Sequence, residues 1–122
     1  MSEMMDKLLA LELPEAEEKT VEVARLSALC GSPVLFTLRE LPFNRVNALG
    51  KLTEDADLYM LLESISEPNL KDSGWYEGKM GCPTPVEAMR KLLKPGEIRA
   101  LVREFDKLEG YGGLALRDVA KK

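Results

Sequence analysis

The stretch Thr84–Gly113, TPVEAMRKLLKPGEIRALVREFDKLEGYGG, decides the fold. It reads as two helices meeting at a sharp corner. Thr84 is placed to cap the first helix through its hydroxyl, Pro85 suits the first helical position, and Glu87 completes a T-x-x-E capping box. Val86, Met89, Leu92 and Leu93 recur on one face. Pro95 disfavours helical geometry at Lys94 and suits a fresh first turn, so the chain bends there and restarts. The second helix carries Ile98, Leu101, Val102, Phe105 and Leu108 at offsets of three and four, with Arg99, Arg103, Glu104, Asp106 and Lys107 facing water. Gly110 is suited to the left-handed conformation that ends a helix, with Tyr111 behind it able to fold back on Phe105. Such a stripe packs on the core of its own domain, which speaks of fold and not of function.

Working outward, 122 residues predict a single domain over 1–122, with 45% hydrophobic and 31% charged residues giving enough apolar material for a core. A net charge of −4 and a pI near 5.0 argue against nucleic acid as a partner, because phosphate binding needs clustered Lys and Arg, and here the cations are scattered among acids. Histidine is absent, which removes Ser-His-Asp and Cys-His nucleophile systems and His-ligated metals together. Cys30 and Cys82 cannot make a four-thiolate zinc site and read as free thiols in a reducing cytoplasm. No run approaches the ~20 apolar residues of a membrane span, so no membrane role is expected. The remaining carboxylates, Lys, Tyr and Cys show no spacing that pairs a nucleophile with a base. No catalytic residue, cofactor site or metal site is predicted. The acids of Thr53–Asp57 are read as helix-start charges, since the glycine and bidentate acid of a calcium loop are missing.

The N-terminal residues 1–13 predict a short amphipathic helix capped by Ser2, with Met5, Leu8 and Leu9 on one side and Met4 and Leu11 widening the stripe. A helix this short is marginal alone and must dock. Docking on its own domain is the ordinary expectation, and a partner is the alternative. Residues 19–41 predict a β-hairpin: Val21 and Val23 alternate with polar neighbours out to Ser27. Leu29–Pro33 supplies a loop, and Val34, Phe36 and Leu38 alternate on the return strand. Residues 42–110 read as helical. Pro42 starts a helix with Phe43, Val46 and Leu49 inward. Thr53 caps another bearing Leu58, Leu61, Leu62 and Ile65, which Pro68 stops. Asn69–Pro83 is irregular, with glycines spaced against a continuous helix, and holds Trp75, Tyr76 and Met80. These three form either a contact surface or a plug in the core beneath a loop. Residues 111–122 read as a loose tail with a short helix over 114–120. The expected class is α+β: a small antiparallel hairpin or sheet, four to five helices mainly on one side, and the helix-corner-helix at the C-terminal end.

Read together, Pro68-Asn69-Leu70, Leu93 with Pro95-Gly96-Glu97, and Gly110-Tyr111 follow one another in an order that resembles phage tail assembly chaperones of the XkdN-like type. The likeness is strongest from Leu58 to Gly112. It departs at Gly78–Cys82, which is glycine-rich where a more helical lead into the corner is expected. The resemblance implies a non-enzymatic protein of the bacterial host cytoplasm, absent from the mature virion. Such a protein holds the tape measure protein soluble while tail tube protein polymerises around it. On that reading Leu8, Leu9, Leu11, Trp75, Tyr76 and Met80 are the candidate partner contacts. A small structural or adaptor component of a phage tail, or another acidic interaction domain, is the alternative.

Overall fold

The corner at Pro95 forms as its capping residues dictate in the computed structural model of the chain, which describes residues 2–112 and 115–119. Ten elements follow in order: helix α1 (Glu3–Ala10), strand β1 (Glu18–Glu22), α2 (Ala24–Cys30), β2 (Leu35–Arg39), α3 (Phe43–Gly50), α4 (Ala56–Ser64), β3 (Ile65–Glu67), a π-helical turn (Gly74–Lys79), α5 (Pro85–Leu92) and α6 (Pro95–Leu108). At the start of α5 the Thr84 hydroxyl accepts a hydrogen bond from the Glu87 N–H at 3.2 Å. At the start of α6 the Glu97 carboxylate accepts one from the Lys94 N–H at 2.7 Å. The far end of α6 closes in a Schellman motif: Gly110 takes φ +91°, its N–H donates to the Lys107 carbonyl, and the Tyr111 N–H donates to that of Asp106. Tyr111 itself remains two-thirds exposed.

The three strands form one antiparallel sheet in the order β1-β2-β3, with Val21 opposite Phe36, Thr20 opposite Thr37 and Leu38 opposite Ile65. Alternation along β2 separates its two faces. Phe36 and Leu38 are buried, while Leu35 and the Thr20–Thr37 hydroxyl pair (2.9 Å) lie on the open face. The helices α4 and α6 lie against β2 on the buried side. Leu58, Leu61 and Leu62 of α4, Val86 and Met89 of α5, Leu93 of the corner, and Leu101 and Phe105 of α6 complete the core. Each such side chain contributes roughly 1.5–3 kcal/mol by leaving water. The Ser64 hydroxyl is fully buried and satisfied, donating to the Arg39 carbonyl at 2.8 Å and accepting from the Arg39 N–H at 3.3 Å. It ties the end of α4 to β2.

The α+β class and the small antiparallel sheet therefore hold, with several local corrections, the first being that the described residues form six α-helices and a π-helical turn where four to five helices are expected. The strands β1 and β2 pair as expected, but the segment between them is not a loop. Ala24–Cys30 is the helix α2, ended by Gly31 at φ +74° and stabilised by a hydrogen bond from the Val34 N–H to the Ser27 hydroxyl at 2.8 Å. The 42–110 region is not wholly helical, because α4 stops at Ser64 and Ile65 begins β3 before Pro68 is reached. Asp55, not Thr53, occupies the cap of α4, in the left-handed region at φ +57°, and its carboxylate pairs with Arg90 of α5. Phe43 is 81% exposed rather than inward, leaving Leu49 as the buried residue of α3. Residues 115–119 carry no helix, and the rest of the expected 114–120 helix lies outside the described residues.

Candidate functional site

Two surfaces hold the expected contact residues, and they have different characters. The first is the N-terminal arm. The Ser2 hydroxyl accepts from the Met5 N–H at 3.0 Å, and Glu3 and Asp6 sit near the positive end of α1, so the helix is well started. Its apolar stripe covers nothing: no residue of α1 is buried, and Leu8, Leu9 and Leu11 are 62%, 64% and 57% exposed, with Met4 and Met5 beside them. Docking on its own core, the ordinary expectation for such a helix, is not what the structure shows. The arm rejoins the fold only at Glu17, whose carbonyl accepts from the Glu40 N–H at 3.0 Å.

The arm also holds the chain's excess charge. Between Ser2 and Ala16 lie four carboxylates and one lysine. The remaining residues carry sixteen cations against seventeen acids and are close to neutral. Most of the net negative charge of the protein therefore resides in its arm.

The second surface surrounds Trp75. The Asp72 carboxylate accepts from the Gly74 N–H at 3.0 Å, and the Met80 N–H donates to the Trp75 carbonyl at 2.9 Å, closing the π-helical turn. Lys91 of α5 donates to the Met80 carbonyl at 3.0 Å, which ties the turn to the helix behind it. Trp75 is half-buried and packs against the core cluster. One side of it lines a cleft of about 390 Å³ together with Leu26, Val34, Phe36, Leu70 and Leu92. Tyr76 and Met80 are half-buried as well. Trp75 thus serves mainly as packing and offers only part of its ring to solvent. No residue of α1 lines its cleft, so the two expected halves of the site are not brought together.

A third feature carries no local signal in the sequence. Arg25 of α2 grips the corner between α5 and α6: its guanidinium donates to both Glu97 oxygens at 2.9 and 2.8 Å and to the Leu92 carbonyl at 2.7 Å. The hydrogen bonds from Arg25 hold the Glu97 carboxyl below its ordinary range. On the exposed side of α6, Arg99 and Arg103 have no ion-pair partner among the described residues. Arg103 borders two grooves and Arg99 the first of them. One, of about 660 Å³, runs past Leu58, Leu93, Ile98 and Val102. The other, of about 550 Å³, lies between α6 and β1 over Val21, Ala24, Ala100 and Leu101. The Asp106 carboxyl is held above its ordinary range, through burial first and the nearby Asp57 charge second. Among the described residues no three Cys, Asp or Glu side chains gather as metal ligands, and no helix is long and apolar enough to cross a membrane. Cys30 is exposed and Cys82 half-buried, and neither is in a disulfide.

No family model and no curated protein matches the chain. Among solved structures it is similar to the crystal structure of the protein YqbN, with a TM-score of 0.64 at 22% sequence identity, over 83% of this chain and 91% of that one. At that identity the likeness establishes a shared fold.

Proposed function

We propose that this protein is a non-enzymatic assembly chaperone that binds apolar, helical segments of a phage tape measure protein and keeps them soluble while the tail tube is built. The observation that carries this reading is the bare stripe of α1, in which Met4, Met5, Leu8, Leu9 and Leu11 are exposed together on an acidic tether. An isolated eight-residue helix gains too little to persist by itself, and an uncovered apolar stripe is a binding surface in waiting. A tape measure is a long helical chain with apolar stripes of its own, and helix-on-helix packing is the economical way to cover them. The carboxylates around the stripe keep the complex soluble, and the small contact area keeps it weak enough for tube subunits to displace. The sequence order shared with XkdN-like chaperones supports the same role. The chain acts in the cytoplasm of the infected or lysogenic host and is left behind when the virion is complete.

The test is co-expression with a phage tape measure protein. The wild-type chain should raise the soluble fraction of that client severalfold, and Leu8→Asp should abolish the gain. If the client is equally soluble with and without this protein, the chaperone reading fails. Stoichiometric amounts of the chain in purified particles would instead support a structural tail component.

A further inference from the structure

On the β1 side the sheet ends in an open edge, separated from α6 by a groove. We infer that this edge takes up an extended segment of a partner protein as a fourth strand. The segment it fits alternates apolar residues, turned toward α6, with lysines or arginines turned toward Glu18 and Glu22.

Four observations carry this. First, the edge has unused hydrogen-bonding groups. Bonds from the Glu40 N–H to the Glu17 carbonyl and from the Val23 N–H to the Val34 carbonyl bracket the β1–β2 ladder. Antiparallel alternation therefore turns the backbone groups of Lys19 and Val21 toward β2 and those of Glu18, Thr20 and Glu22 outward. Among the described residues no other backbone group bonds to these outward N–H and C=O groups. Second, β1 lacks the usual edge protections. The opposite edge, β3, has three residues, a register shift against β2 and Pro68 directly after it, whereas β1 has five residues in unbroken register. Third, the groove of about 550 Å³ beside the edge has room for side chains, over Val21, Ala24, Ala100 and Leu101. Of its charges, Arg25 is paired with Glu97 and Lys107 with Glu104, and Glu22 and Arg103 balance each other. That side selects for apolar residues and not for a sign of charge. Fourth, the sign is set on the open face of the sheet, where Glu18, Thr20 and Glu22 lie opposite Arg39, Thr37 and Leu35. Among the described residues neither Glu18 nor Glu22 is in an ion pair. A cation opposite each makes a favourable cross-strand pair. The same glutamates weigh against a second copy, because antiparallel pairing about Thr20 sets each Glu18 opposite a Glu22. They weigh equally against the chain's own arm, whose Glu12 and Glu15 carry the same sign.

Recognition of this kind runs through backbone bonds and charge, so it is separate from the α1 stripe and needs no helical client. The probe is the end-blocked peptide VKVTVKV, titrated into the full-length, ¹⁵N-labelled chain and read by amide hydrogen exchange. At saturation the Glu18, Thr20 and Glu22 amides should gain about tenfold protection or more, while those of Lys19 and Val21, already turned to β2, change little. N-methylation of the peptide's lysines and threonine, whose amides face β1 in that register, should abolish binding. The peptide VEVTVEV should bind about tenfold more weakly than VKVTVKV, and the double variant E18K/E22K should reverse that preference. Unchanged protection at Leu101 and Phe105 in the variant shows that the fold is intact. No gain at the three amides with peptide in large excess overturns the proposal, and so does equal binding of the N-methylated peptide or of the two charge forms. Protection of the three amides in the chain alone overturns it as well. The edge is then filled by a second copy if that protection grows with protein concentration, and by the chain's own arm if it does not. Because no helical client is present, any of these failures leaves the chaperone reading standing, and failure of the solubility assay leaves the strand addition standing.

Discussion

Replacing Leu61 and Leu8 by smaller or polar residues should have opposite consequences for stability and binding. Leu61 of α4 is 0% exposed and sits at the centre of the core, whereas Leu8 is 62% exposed. Truncating a fully buried leucine to alanine removes its transfer free energy and leaves a cavity, so Leu61→Ala should cost about 3 kcal/mol, within the roughly 2–5 kcal/mol seen for such changes. Leu8→Asp should cost less than about 1 kcal/mol, since an exposed residue outside the core has little folded-state packing to lose. Urea unfolding followed by far-UV circular dichroism separates the two. With a slope of roughly 1.5 kcal/mol/M, the midpoint should fall by about 2 M for Leu61→Ala and by well under 1 M for Leu8→Asp. Client solubilisation should show the reverse order under conditions where both variants are folded. A loss of about 2 kcal/mol or more in Leu8→Asp would refute the reasoning, because it would mean that the α1 stripe is part of the core.

Gly110→Ala should cost about 1 kcal/mol, because φ +91° strains any L side chain even though open space surrounds the added methyl; thermal unfolding reads it as a drop of a few degrees. Glu63, Glu97 and Glu104 have folded-state pKa values held down by Arg45, Arg25 and Lys19 respectively, so their stabilisation is present above the ordinary carboxylate pKa and is lost as pH falls through the lowered folded values. Glu97→Gln should accordingly flatten the acid limb of a plot of urea midpoint against pH. Asp106 has the opposite sign: its raised folded pKa opposes folding at neutral pH and the penalty disappears as it protonates, so Asp106→Asn should stabilise at pH 7 and be neutral near pH 3. Trp75→Ala should cost about 2 kcal/mol, about half the loss at a fully buried aromatic, as denaturant titration will show.

What could be read from the sequence follows the range of the interactions that set each element. The α5–α6 corner was legible because its determinants are local: the Thr84 hydroxyl and Glu97 carboxylate each act three residues away, and Gly110 acts on its own backbone. Helix α2 was not, because the seven residues of Ala24–Cys30 are too few to show a helical period after the Val21–Val23 alternation. Its position depends on Arg25 reaching Glu97, a partner 72 residues away. The strand β3 has three residues and exists through its pairing with β2, which no pattern of its own announces. Asp55 displaced Thr53 as the cap of α4 because its left-handed backbone starts the helix later and places its carboxylate on Arg90. At the candidate site the stripe of α1 was plain, but its lack of cover is a tertiary fact. The grooves beside Arg99 and Arg103 are likewise tertiary, because the residues that line them come from elements far apart in the chain.

The distribution of core residues along the chain has a consequence for synthesis. Leu101 and Phe105 close the core from α6, while α1 lies at the other end and adds nothing to it. A ribosome adding roughly 5–20 residues per second leaves an interval on the order of ten seconds between the emergence of the arm and that of the last core residues. Through that interval the growing chain carries the uncovered apolar residues of the arm and those of the unfinished core at the same time. The carboxylates clustered around the arm are therefore in place when the nascent chain most needs to repel its neighbours on a polysome.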